Sequence, residues 1–262
     1  MKSDIIVDLK KIVYCKYLLP YASTSIVIVH GFTEYKEKYK EVVKLFLAKG
    51  FNVYILDLPG HGESDGHLEN KKLYHIDKFD DYVFTVKRFI NDVVKRDSQN
   101  KIVVYGFSMG GLISTLLLEE NQNFVNALIL AMPMFKFKAK MPDFFVNIIS
   151  TIMSKIFPKN AIFTKKDYKK APTWKWIKES LNAGKKALFK DNAIKINIPI
   201  LLLEAENDEY VENSAIDTFA SYFKNIKKFI YPEANHELYR KECKNRDKYF
   251  NDIFNFLRLN SF

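Results

Sequence analysis

Seven of the nine glycines in this 262-residue chain fall at three points: Gly31; Gly60, Gly62 and Gly66; and Gly106, Gly110 and Gly111. Each point directly follows an apolar run, namely Ser25–His30, Phe51–Leu56 and Ile102–Tyr105. Glycine after a strand permits positive φ and close approach of backbones. In open α/β sheets, ligands bind beyond the carboxyl ends of the strands. The three clusters are therefore read as the outline of one site.

Five further runs read as strands: Ile5–Leu9, Ile12–Leu19, Ala127–Ala131, Ile200–Leu203 and Lys228–Tyr231. Several of the eight are continuously apolar, as strands covered on both faces require. Helical patterns lie at Tyr39–Lys49, Ile76–Lys95, Met109–Asn121, Ala215–Phe223 and Asp247–Leu259. This alternation predicts an α/β class: a mostly parallel, eight-stranded, doubly wound sheet with helices on both faces. The two opening runs lack a helix between them and suit an antiparallel hairpin at one edge.

Residues 134–195 interrupt the alternation. Phe144, Phe145, Ile148, Ile149, Ile152, Met153, Ile156 and Phe157 form an apolar stripe on one helical face. Trp174, Ile177 and Leu181 mark a second amphipathic helix. The expected organisation is a core of residues 1–133 and 196–262 with a helical cap, or lid, at 134–195. The cap holds 15 lysines, no arginine and four acids, so the chain's net charge of +10 resides there; the remainder is nearly neutral. Such a segment is either a solvated lysine-covered excursion or a surface attracted to anionic lipid or substrate. No nucleic-acid partner is expected, because no recognition module and no arginine accompany the patch.

The apolar fraction of 48% excludes a disordered chain, and no run of 18 apolar residues suits a transmembrane helix. The N-terminus has no apolar signal core, and two cysteines make no disulfide framework. A cytoplasmic protein is the expectation, with peripheral contact at the inner face of a membrane through the basic cap.

The third glycine cluster carries chemistry. Ile102-Val103-Val104-Tyr105-Gly106-Phe107-Ser108-Met109-Gly110-Gly111 reads strand, G-x-S-x-G, helix. A nucleophile projecting from a tight turn needs small neighbours two residues away on each side. The helix that starts there aims free N–H groups at developing negative charge. A phosphate loop is excluded, since G-x-x-x-x-G-K-[ST] is absent. Hydrolases built on this elbow order their triad as serine, acid, histidine. Only one of the five histidines, His236, follows Ser108. It sits just past the last predicted strand. The acid belongs after Ile200–Leu203, where Asp208 is placed best and Glu206 is its rival. The His30-Gly31-Phe32 turn puts the N–H of Phe32 beside that of Met109 as an oxyanion hole, with His30 supporting the loop. His61 and Asp57 read as turn architecture, Pro59-Gly60 favouring a type II turn.

His30-Gly31-Phe32-Thr33-Glu34, Asp57-Leu58-Pro59-Gly60-His61-Gly62-Glu63-Ser64-Asp65-Gly66, Gly106-Phe107-Ser108-Met109-Gly110-Gly111, Asn207-Asp208 and Asn235-His236-Glu237 occur in that order. Together they resemble the monoacylglycerol lipase and lysophospholipase branch of the α/β-hydrolase superfamily, over about residues 20–260. The resemblance implies a serine esterase with Ser108 as nucleophile, Asp208 as acid, His236 as base, and oxyanion donors at Phe32 and Met109. It calls for no metal or organic cofactor. Phe107 departs from the family, where histidine is frequent. The expected substrate is a single-chain lipid ester, a lysophospholipid or monoacylglycerol, with Phe145, Ile149, Ile152 and Met153 of the cap lining an acyl channel. A short-chain carboxylesterase, a peptidase, lactonase or carbon–carbon hydrolase on the same fold, and a non-catalytic lipid-binding protein are the alternatives.

Overall fold

The computed structural model describes residues 1–97, 100–120, 123–161 and 170–262. Eight strands form one sheet: β1 (Lys2–Val7), β2 (Lys10–Tyr17), β3 (Thr24–Val29), β4 (Asn52–Leu56), β6 (Lys101–Phe107), β7 (Ala127–Ala131), β9 (Ile200–Ala205) and β10 (Lys227–Tyr231). Their spatial order is β1-β2-β4-β3-β6-β7-β9-β10. The β1–β2 and β2–β4 pairs are antiparallel and every other pair is parallel. The opening hairpin turns at Asp8 and Leu9, both at positive φ (46° and 61°). That is the backbone of a primed two-residue turn, whose twist matches its strands.

Alternation along the central strands splits the core into two layers. On β3, Val27 and Val29 point to one layer, and Ile26 and Ile28 to the other. On β6, Ile102 and Val104 oppose Val103, Tyr105 and Phe107. Both faces are covered, which is why these segments read as unbroken apolar runs. Helices α1 (Lys40–Ala48) and α9 (Arg246–Leu259) cover one face. Helices α2 (Asp80–Phe89), α4 (Met109–Glu120) and α8 (Asn213–Ala220) cover the other. The helix after Ile76 starts later than its pattern predicts, at Asp80, and passes through a π-helical turn at Ile90–Val94 into α3 (Lys95–Asp97). Asn121, the predicted end of α4, lies outside the described residues, as do 162–169 of the inserted segment.

The insertion adds α5 (Asp143–Ile156), β8 (Ala171–Pro172), α6 (Trp174–Ala187) and α7 (Lys190–Ala193). Its two long helices have different roles. Trp176, Ile177, Ala183 and Ala187 of α6 belong to the core layer that also holds α4. Helix α5 lies against α6 and turns most of its apolar stripe outward: Phe144 is 68% and Ile156 60% exposed. β8 pairs in parallel with β5 (Leu73–Tyr74), and His75 Nδ1 lies 3.0 Å from Thr173 Oγ1, so the inserted chain is tied to the core loop beneath it. This short pairing had no sequence signal, because two residues carry no periodicity.

Candidate active site

β6 delivers Phe107 into the interior, and α4 begins two residues later. Between them Ser108 takes φ +52°, a left-handed conformation that costs about 1–2 kcal/mol for a non-glycine residue. The turn is held because the Ser108 carbonyl accepts from Gly111, Leu112 and Met134, while its N–H donates to Ala131. The flanking glycines are steric necessities. A Cβ on Gly106 would lie 2.7 Å from the Gly110 oxygen, and one on Gly110 would lie 2.0 Å from the Val29 oxygen.

His236 and Asp208 arrive on the loops after β10 and β9. His236 Nδ1 lies 2.5 Å from Asp208 Oδ2, and both side chains are buried. The other carboxylate oxygen, Oδ1, accepts from the N–H groups of Tyr210 (2.8 Å) and Val211 (2.9 Å). Glu206, the rival acid, is exposed and spends Oε2 on the Glu233 N–H. The structure therefore brings Asp208, not Glu206, to the imidazole. His236 rests on the ring of Phe107 (centroids 5.0 Å apart), so that aromatic residue floors the imidazole directly beside the elbow. Ser108 and His236 line one cavity of about 410 Å³.

The loop after β3 places Phe32 in the same cavity wall. Neither the Phe32 N–H nor the Met109 N–H has an acceptor among the described residues, which leaves both available to an oxyanion. Two buried groups brace this loop. His30 donates from Nδ1 to the Gly31 oxygen (2.8 Å) and accepts the Leu58 N–H at Nε2 (3.0 Å). Those bonds define a neutral tautomer, and burial lowers the histidine's pKa further from protonation. Glu34 accepts from the Gly31 N–H (2.9 Å), Tyr39 Oη (2.6 Å) and Tyr239 Oη (2.5 Å). The role of this carboxylate is not legible along the chain, because its partners lie up to 205 residues away.

Beneath the loop, Asp57 takes the Lys36 ammonium (2.7 Å) and the Glu63 N–H (2.9 Å). The turn Leu58-Pro59-Gly60-His61 closes with His61 N–H to Leu58 O (2.9 Å) and Gly60 at φ +72°, a type II geometry.

Helix α5 does not line this cavity. Phe145, Ile149, Ile152 and Met153 are absent from its wall, and Phe145 and Ile152 are 52% and 50% exposed. The apolar lining comes instead from Phe32, Met134, Phe137, Trp176 and Val211. The compact inner face of α6 takes the layer against α4, leaving α5 outside it. A stripe of apolar residues reports that a helix is amphipathic, not which neighbour it meets. Trp176 was the informative residue: its ring lies 4.1 Å from that of Phe32.

The elbow, the Asp208–His236 pair and the sheet topology together define an α/β-hydrolase of the serine type. The chain belongs to the family described as serine aminopeptidase, S33 (Hydrolase_4), whose model matches residues 21–170 and 164–243. It is similar to lysophospholipase L2 of Escherichia coli K12: 29% identity over 230 residues, covering 74% of this chain. That match spans 66% of the length of the bacterial protein. A monoglyceride lipase homolog of Monkeypox virus is 27% identical over 248 residues, 87% of each chain. The fold is shared with a monoacylglycerol lipase of Paleococcus ferrophilus (TM-score 0.76, 18% identity, 95% of this chain and 99% of that one). It is shared equally with a soluble monoglyceride lipase variant from Saccharomyces cerevisiae (TM-score 0.78, 18% identity, 98% and 94%).

Proposed function

We propose that this chain hydrolyses carboxylic esters of single-chain lipids, lysophospholipids or monoacylglycerols, through an acyl-enzyme on Ser108. His236 takes the Ser108 proton as the hydroxyl attacks the ester carbonyl. The N–H groups of Phe32 and Met109 hold the resulting oxyanion. His236 returns the proton to the leaving alcohol, then activates water to hydrolyse the acyl-serine. Asp208 keeps the imidazole in the tautomer with its proton on Nδ1 and stabilises imidazolium.

The observation that supports this most is the joining of Asp208 to His236 at a cavity that also holds Ser108. The apolar lining suits an acyl chain. The test is turnover of lysophospholipid, monoacylglycerol and nitrophenyl esters of rising chain length by purified protein beside Ser108→Ala. Hydrolysis lost in Ser108→Ala supports the reading; a peptide or short-acyl preference replaces the substrate class.

A second reading concerns the insertion. We infer that residues 134–195 act as a cap whose outer helix contacts anionic membrane. No described helix is long and apolar enough to cross a bilayer. The exposed faces of Phe144, Phe145, Ile148, Ile152 and Ile156, with Lys155 on the same helix and Lys185 bonded to its Asn147 (3.0 Å), suit a helix lying in a lipid surface.

A further inference from the structure

Two lysines line the cavity that holds Ser108 and His236, each pinned to a different loop of its wall. Lys138 Nζ donates to the Asp208 carbonyl oxygen (2.5 Å), and Lys170 Nζ donates to the Thr33 carbonyl oxygen (3.0 Å). Thr33 follows Phe32, so one ammonium sits on the oxyanion side and the other on the acid side. Neither is a loose surface chain. The Lys138 backbone N–H donates to Tyr210 O (2.8 Å), in a stretch that bridges Phe137 to Val211. Lys170 precedes β8, and its ammonium lies over the rings of Tyr35 (5.6 Å) and Tyr74 (5.8 Å).

The acceptors of both ammonium groups are backbone carbonyls, and neither lysine has a carboxylate partner among the described residues. The acids that line the same cavity are already engaged. Glu34 is held by two tyrosines and the Gly31 N–H, and Glu209 accepts the His236 N–H (3.2 Å). Glu237 pairs with Arg240 (2.7 Å). Each ammonium has three donors and uses one, leaving two free to meet an anion entering the cavity. Lys38 pairs with Glu34 (3.9 Å), so the lining keeps two ammonium groups without a carboxylate partner among the described residues, Lys138 and Lys170, against one carboxylate without a cation, Glu209.

We propose that Lys138 and Lys170 form a subsite for an anionic phosphate on the leaving alcohol, so that acyl glycerophosphates are preferred over neutral acylglycerols. This rests on the ester-hydrolase reading and narrows its substrate class. Charge-assisted bonds to phosphate hold the alcohol while His236 protonates its departing oxygen; the acyl carbon–oxygen bond is the one that breaks.

The test compares an acyl glycerophosphate with the acylglycerol of the same chain, short enough that both stay monomeric. In the wild type, kcat/KM for the phosphate exceeds that for the neutral ester, and the margin shrinks with salt. Lys138→Gln/Lys170→Gln lowers the ratio of the two by about tenfold, while Lys138→Arg/Lys170→Arg retains it. A wild-type ratio near one overturns the subsite, as does a double glutamine variant in which both substrates decline together. A preference seen only when the lipids are presented in vesicles overturns it too, because surface attraction then explains the effect. Hydrolysis of neither lipid, with Ser108 still labelled by a fluorophosphonate, removes the lipid-ester reading and this inference with it. Equal hydrolysis of both removes this inference alone.

Discussion

Asp208 offers His236 one carboxylate oxygen at 2.5 Å and commits its other oxygen to two backbone N–H groups. The acid is thus oriented by its own loop as well as by the imidazole. Asp208→Asn keeps the shape and an acceptor for those N–H groups, but its amide presents a donor to Nδ1 and favours the wrong tautomer. The expected outcome is a loss of roughly 10³–10⁴ in kcat with KM little changed. Steady-state kinetics on a soluble nitrophenyl ester measure it, and a loss below tenfold would contradict the assigned role.

Glu34 joins the loop after β3, through the Gly31 N–H, to the segment that follows His236, through Tyr239. The rings of Tyr39 and Tyr239 stack at 5.1 Å over the same carboxylate. Tyr239→Phe keeps the stacking and deletes the bond that links the loops. It is expected to cost about 1–2 kcal/mol of stability and to lower kcat several-fold with little change in KM. Chemical denaturation and kinetics on the same preparation test both; unchanged kcat would show the loops are held independently.

Gly110 sits where the α4 N-terminus presses on β3. A Cβ there meets the Val29 oxygen at 2.0 Å, and backbone on both sides must move. Gly110→Ala is expected to destabilise the fold by about 3 kcal/mol, a fall of roughly 6–12 °C in Tm for a chain of this size. Thermal unfolding reads this directly.

Glu119 is buried on α4, with no hydrogen-bond partner for either carboxylate oxygen among the described residues. Burial raises its pKa from 4.5 to about 8, against the partial pull of Lys186 and Lys195. The folded state therefore keeps a proton that the unfolded state sheds. Its contribution to stability is fully present below about pH 4.5 and declines as pH rises through about 8. Glu119→Met removes that decline. The variant is expected to gain on the order of 3 kcal/mol over wild type near pH 9, the gap narrowing toward pH 5. Denaturant melts across that range decide it, and a gap independent of pH would refute a raised pKa.

The outward stripe of α5 predicts a surface interaction separable from chemistry. Phe144→Ser/Ile152→Ser is expected to weaken binding to anionic vesicles about tenfold or more, given roughly 1.5–3 kcal/mol per large apolar side chain withdrawn from lipid. Hydrolysis of a soluble ester serves as the check on folding. Wild-type protein that sediments equally poorly with anionic and neutral vesicles, at low and high salt, would dismiss the contact.

The eight strands, their mainly parallel order and the elbow were legible because each is a local property. Burial on both faces writes itself into continuous runs such as Ile200–Leu203, and a serine at φ +52° demands glycines at fixed offsets. Ser108 and His236 followed from motif and chain order. Asp208 and Glu206 were not separable along the chain, being two residues apart in one loop; only the turn of that loop aims one inward and leaves the other on the Glu233 N–H.

What the amino-acid order determined by itself was periodicity and turn chemistry, and with them the sheet, the elbow and the lysine-rich insertion. Tertiary structure alone decided which insertion helix lies inside. It placed Trp176 rather than Phe145 or Met153 at the cavity, and brought Lys138 and Lys170 to the same wall. The physical reason is range. Backbone conformation answers to neighbours within a turn or two, whereas a pocket is made by side chains whose distances apart are fixed only when separate helices and loops pack.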